Sequence, residues 1–196
     1  MRETDLLGHI YDRSSGLADS FDAIEVGPGD DCAVVRVGDA RLLVGVDQLI
    51  EGRHFEQGTD LDLIARKSIA RNVSDIAAMG GEPSWSLASA AIPKDYSSAD
   101  ALFDAMSRWA IHWKCPLVGG DISATDGPLS LSVTIAGTPH PVRGPVLRST
   151  ARPGDVVATT GPIGGSLGSG RHLTFEPHIS EARALCTTLG QSLHAM

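Results

Sequence analysis

Residues 32–37 and 41–46 are two β-branched runs on either side of Gly38-Asp39-Ala40, a spacing that predicts a hairpin with a short glycine-containing loop. Acids stand at its outer ends: Asp30 and Asp31 precede the first strand, and Asp47 follows the second. Antiparallel pairing folds those ends to the same edge of a sheet. A separation of sixteen positions between Asp31 and Asp47 in the chain thereby becomes closeness in space.

The rest of the chain supplies partners for that hairpin. Residues 60–80 carry Ile69, Val73 and Ile76 at helical spacing, with Thr59 or Asp60 as cap and Gly80-Gly81 before Pro83 as terminator. Residues 84–92 read as a third strand. Ser97 or Ser98 then caps a helix that buries Leu102, Met106, Trp109 and Trp113, ended by Pro116. Leu117-Val118 is a short strand running into Gly119-Gly120-Asp121, which puts another acid at a strand end, and residues 129–136 alternate as a further strand. At the N-terminus Thr4 is placed to cap a helix with Leu7, Ile10 and Tyr11 on one face, closed by Ser14-Ser15-Gly16. The pattern predicts an α/β (α+β) fold: a small mixed sheet with helices packed on one face.

Residues 139–153 are rich in Pro and Arg and carry little periodicity, which sets a domain boundary there. Residues 1–145 form the first domain and 146–196 the beginning of a second α/β domain. In the latter, residues 155–160 read as a strand, 161–166 as a glycine-rich turn into a short helix, and 181–189 as a last helix. One strand and two short helices do not close a core, so a truncated chain is the expectation.

A hydrophobic share of 42% with 20% charged residues is that of a folded globular protein. The net charge of −8, with its basic residues scattered, argues against a nucleic-acid partner. Residues 1–15 carry charges throughout, so a secretory leader or membrane anchor is not expected and the cytoplasm is. Cys32, Cys115 and Cys186 are widely spaced and odd in number, which fits reduced, buried thiols rather than disulfides or zinc ligands.

Several aspartates at one sheet edge suit magnesium, which takes hard oxygen ligands and is commonly shared between carboxylates and phosphates. Without a cation such a group repels itself, and some members must take up protons near neutral pH. Strand-end aspartates are also common turn and cap residues. Asp75 is different, because it lies inside an apolar helix where Asp is a poor helix former. Two readings stay open for it, a metal ligand or an ion pair with Arg71 or Lys67. Gly119-Gly120 leaves backbone room for a ligand before Asp121. Residues 161–170 match neither the Gly-Lys-Ser/Thr nor the Gly-x-Gly-x-x-Gly phosphate fingerprint, and read as a tight turn. His54 lies in a polar loop where a surface histidine is the ordinary expectation, and no His pair has zinc spacing.

Taken in order, Gly29-Asp30-Asp31-Cys32-Ala33, Asp47 with 51–55, the run 72–80, Gly119-Gly120-Asp121, and Leu147-Arg148-Ser149 before Pro153-Gly154-Asp155 resemble the thiamine-monophosphate kinase family. That family belongs to the aminoimidazole ribonucleotide synthetase-like superfamily. The resemblance implies Mg2+ held by Asp31, Asp47, Asp75 and Asp121, ATP contacts from Gly120, Asp121 and Arg148, and His54 near the thiamine phosphate. It further implies direct transfer from ATP to thiamine monophosphate with no covalent nucleophile, and a homodimer pairing these N-terminal sheets. Where the family carries hydroxyl residues before the Asp, this chain has Gly45-Val46, and after Gly-Gly-Asp it has Ile122-Ser123-Ala124. As a truncated chain it is expected to turn over poorly. The alternatives are another ATP-using member of the superfamily, such as a purine-pathway synthetase or hydrogenase-maturation protein, or a non-catalytic dimerising, nucleotide-binding fragment.

Overall fold

The computed structural model describes residues 2–196. Six strands form one sheet: β1 (Ile24–Val26), β2 (Ala33–Val37), β3 (Ala40–Ile50), β4 (Glu82–Pro93), β5 (Leu117–Thr125) and β6 (Ser130–Thr138). Their order is β1-β2-β3-β6-β4-β5. Every neighbouring pair is antiparallel except β4 and β5. That pair is parallel and joined through α4 (Ala99–His112), the helical crossover that parallel neighbours require. The expected mixed sheet is present, and β2 and β3 form the expected hairpin with Val37 opposite Ala40.

The sheet is covered on one face. Leu43, Leu131, Val133 and Ile135 alternate inward and are buried under α3 (Leu61–Ala78), whose Ile69, Val73 and Ile76 are fully buried. Asp60 caps α3 by accepting from the amides of Asp62 and Leu63 at 2.9 and 3.3 Å. Helix α4 packs beside α3 through Leu102, Ala105 and Met106. The other face is bare: Val46 pairs with Thr134 and Thr134 with Leu87, and Val46 is 61% exposed.

At the C-terminal end of α3 helix and sheet meet with no space between them. A Cβ on Gly81 would lie 2.4 Å from Leu43 Cδ1, and one on Gly137 would lie 2.7 Å from the Glu82 carbonyl and 3.0 Å from the Ile76 side chain. Only glycine is accommodated at these two positions.

Five expectations are corrected. Asp47 is inside β3, opposite Val133, because β6 extends the ladder to Ile50. Asp121 is inside β5, opposite Ser89, and the glycines before it form strand rather than a turn. Gly120 abuts β4 so closely that a Cβ there would lie 1.7 Å from the Ala88 carbonyl oxygen, so the room it leaves is filled by a neighbouring strand. Thr4 lies within the first helix, α1 (Glu3–Ser14), whose N-cap is Arg2 without a side-chain bond. Residues 155–160 form no strand: they pair with no described segment, and Val156 is 92% exposed.

After β6 the chain returns to α3. The returning segment carries α5 (Arg171–Thr174) and α6 (Ile179–Leu189), both packed against α3. Arg66 fixes this return: it lies over Trp109 and Trp113, 5.3 Å from each ring, and donates to Glu176 at 2.7 Å. Trp113 donates to the other Glu176 oxygen at 3.0 Å. All three cysteines are free and buried, and no helix is long and apolar enough to cross a membrane among the described residues.

Candidate functional site

The hairpin and α3 bring Asp31, Asp47 and Asp75 together on the covered side of the sheet. Asp31 leads into β2, opposite the stretch of β3 that holds Gly45, and a Cβ on Gly45 would lie 3.5 Å from the Asp31 carbonyl. Asp47 shares the inward face with Val133. Its amide donates to the fully buried Asn72 of α3 at 3.1 Å, and Asn72 donates on to the Ser68 carbonyl at 3.0 Å. Asn72 thus ties strand to helix where the two acids face each other. Val46, one residue before, points to the bare face, so a hydroxyl at that position would be directed away from Asp47.

Two of the three acids already have cationic partners. Arg71 Nε donates to Asp47 at 2.9 Å while its Nη1 donates to the Gln48 carbonyl at 2.8 Å. Arg148, in the short 3₁₀ turn Arg148–Thr150, forks onto both Asp31 oxygens, with Nε at 3.1 Å from one of them. Asp30 orients that turn by accepting from the Arg148 amide at 2.9 Å, and it also accepts from the Asp31 amide at 3.0 Å.

Asp75 is left over. Neither ion-pair partner considered from the sequence reaches it: Arg71 serves Asp47, and Lys67 turns to His54 and His172. Among the described residues its carboxylate has no hydrogen bond or ion pair. Burial first, then the charges of Asp47 and Asp31, push its pKa up to about 7, against the opposing pull of Arg71 and Arg148. The same acids, after burial, raise the Cys32 thiol far above the ordinary range and leave it an inert packing group.

Asp121 stands apart. The row Asp47, Val133, Ala88, Gly120 runs across β3, β6, β4 and β5, which places the Asp121 strand about 14 Å away at sheet spacing. Its side chain has the opposite parity, on the bare face with Ser89, Ser132 and Gln48. Among the described residues, no three His, Cys, Asp or Glu side chains meet in metal-ligating geometry.

His54 lies beside the acids in the loop after β3. Its Nδ1 accepts from the Ile50 amide at 2.9 Å, and burial, then Arg71 and Lys67, lower its pKa. Sequence reasoning missed the roles of Asp30, Asn72 and His172. The first two were legible as polar residues inside matched runs, whereas His172 lies 105 positions from its partner Lys67 with no pattern connecting them.

Residues 29–138 match the AIR synthase related protein, N-terminal domain. The chain belongs to that family. The thiamine-monophosphate kinase of Rhodopirellula baltica is 37% identical over 183 residues, covering 88% of this chain and 56% of that protein. The thiamine-monophosphate kinase of Escherichia coli K12 is 35% identical over 170 residues, 84% of this chain and 49% of that one. The solved structure of AaThiL complexed with AMPPCP and TMP superposes with a TM-score of 0.72 at 28% identity, over 94% of this chain and 64% of that one. This AIR synthase related chain spans about half the length of the curated relatives it matches.

Proposed function

We propose that this chain carries the metal- and phosphate-handling half of a thiamine-phosphate kinase, which uses ATP to convert thiamine monophosphate to thiamine diphosphate. The observation that carries the reading is Asp75: a half-buried carboxylate without a partner, facing Asp31 and Asp47, is unfavourable unless a cation joins it. The names of the relatives and the AMPPCP and TMP bound to AaThiL support the choice of substrates.

The donor set is all hard oxygen, which fits magnesium and does not fit zinc or copper. Asp31, Asp47 and Asp75 would hold it, and when bound it neutralises charge between two polyanions. The chain's own residues do the rest. Arg148, resting on Asp31, is within reach of the same centre and is free to fork onto a phosphate once Asp31 is otherwise neutralised. His54 offers a neutral ring beside the acids. An anionic phosphate acceptor needs no proton removed, so positioning and charge neutralisation suffice without a general base.

Asp121 and Gly120, on β5, are read as ATP contacts, and the bare face that carries Val46, Thr134 and Leu87 is read as the surface that pairs two copies of the chain. The assembly is a homodimer, and the supply of ATP places it in the cytoplasm. The test is direct: incubation with magnesium, ATP and thiamine monophosphate yields thiamine diphosphate and ADP in equal amounts. The reading fails if calorimetry with magnesium present detects binding of neither AMPPCP nor thiamine monophosphate.

A further inference from the structure

One turn before Arg71 on α3, Lys67 is 7% exposed and has no carboxylate within ion-pair distance among the described residues. Its ammonium donates to the His54 carbonyl at 2.5 Å and meets His172 Nδ1 of α5 at 2.7 Å. A buried ammonium without a counter-charge is costly, and an arriving anion would offset that cost.

The hydrogen bonds fix both rings. A backbone amide and an ammonium only donate, so His54 Nδ1 and His172 Nδ1 both accept, and each neutral ring carries its proton on Nε2. Neither Nε2–H has a partner among the described residues, and both rings are half-buried rather than sealed. Two imidazole N–H groups without a protein partner among the described residues therefore belong to rings that sit on the Lys67 side chain or beside the carbonyl it binds. Arg71, one turn along the helix from Lys67, binds Asp47 at 2.9 Å, so the group lies one helical turn from the acids.

We propose that Lys67 and His172, together with His54, form a seat for a phosphate monoester, with His172 contacting the phosphate and Lys67 holding both histidine segments in place. His172 is then a substrate-binding residue supplied by the segment after the sheet, and Lys67 a positioning residue. Assigning this seat to the phosphate of the acceptor, rather than to ATP, rests on the phosphotransfer reading above. The local field agrees with an expected anion: burial and then Arg71 lower the Lys67 pKa, and burial and then Lys67 lower that of His172.

Three ligands and three variants test the seat. Inorganic phosphate titrated into the wild-type chain is expected to shift the His172 Nε2 resonance in a ¹H–¹⁵N imidazole spectrum. Calorimetry with magnesium is expected to show thiamine monophosphate binding weakened about tenfold or more in His172→Phe and Lys67→Met, the loss expected for a charge-assisted hydrogen bond. Lys67→Arg, which keeps the charge, retains more affinity than Lys67→Met, and AMPPCP binding stays within about twofold throughout. His172→Phe replaces a half-buried ring by a ring, so it keeps the test alive if Lys67→Met does not fold. Unchanged thiamine monophosphate affinity in His172→Phe overturns the seat and leaves the kinase reading standing. A phosphate-induced shift at His172 without any thiamine monophosphate binding upholds the seat and overturns the choice of substrate. An AMPPCP loss as large as that of thiamine monophosphate overturns the assignment to the acceptor.

Discussion

Replacing Asp75 by Asn isolates the central electrostatic argument. With its pKa raised from 3.8 to about 7, the native carboxylate holds a proton that the unfolded chain has already released, so native stability falls as pH rises between those values. The sign is opposite to that of an ordinary ion-paired aspartate: the contribution is fully present below about 4 and fully lost above about 7. A rise of this size corresponds to about 4 kcal/mol at 1.36 kcal/mol per pH unit. About half of that is lost between pH 5.5 and 8.5, and solvent screening of a half-buried group reduces it to about 1–2 kcal/mol. Asn keeps the shape and carries no charge at either pH. In EDTA and low salt, scanning calorimetry is therefore expected to show the Asp75→Asn melting temperature gaining on the wild type by roughly 3–6 °C between pH 5.5 and 8.5. Adding magnesium at the higher pH is expected to raise the wild-type melting temperature and to leave the variant unmoved. A difference between the two proteins that does not change with pH would refute the reasoning, because Asp75 would then be neither isolated nor repelled.

Other perturbations follow from the same contacts. Gly120→Ala places a methyl against the Ala88 carbonyl and is expected to cost more than about 3 kcal/mol in urea unfolding, whereas Gly119→Ala, with Leu87 Cδ2 at 3.4 Å, stays within about 1 kcal/mol. Arg66→Met removes the stacking on Trp109 and Trp113 and the pair with a mostly exposed Glu176 and is expected to destabilise by about 1–2 kcal/mol, with Arg66→Lys recovering only part because it neither forks nor stacks as well. Arg71→Gln removes the second-largest influence lowering His54, so an NMR titration is expected to show His54 protonating at higher pH than in the wild type. Val46→Glu on the bare face is expected to give a monomer by analytical ultracentrifugation with its melting temperature within a few degrees of the wild type.

The hairpin was the most legible part of the fold, because alternation and a glycine loop determine both register and which ends meet. That pattern also placed Asp31 beside Asp47. Helix α3 was legible for the same kind of reason, through its capping Asp60 and its stripe of Ile and Val. Asp121 was not: a Gly-Gly pair reads locally as a turn, and only the approach of β4, a long-range contact, holds it in strand. The partner of Arg71 was likewise decided by tertiary placement, since helical spacing favoured Asp75 while the sheet offered Asp47. Residues 155–160 carry strand-forming side chains, yet strand formation depends on a neighbour that local sequence does not name. The Lys67 and His172 pair joins segments more than a hundred positions apart, where no periodicity operates.

The glycines at 81 and 137 remove the two side chains that would have separated α3 from the sheet. With no slack at that end, the helix sits directly on the sheet, and Asp75, on its last turn, is held at a set spacing from Asp47. Any adjustment of the spacing between charges as ligands come and go falls to the other side, where Asp30, Asp31 and Arg148 are carried by a loop and a single 3₁₀ turn. Half of the centre is thus an anvil, and the other half is borne by a loop.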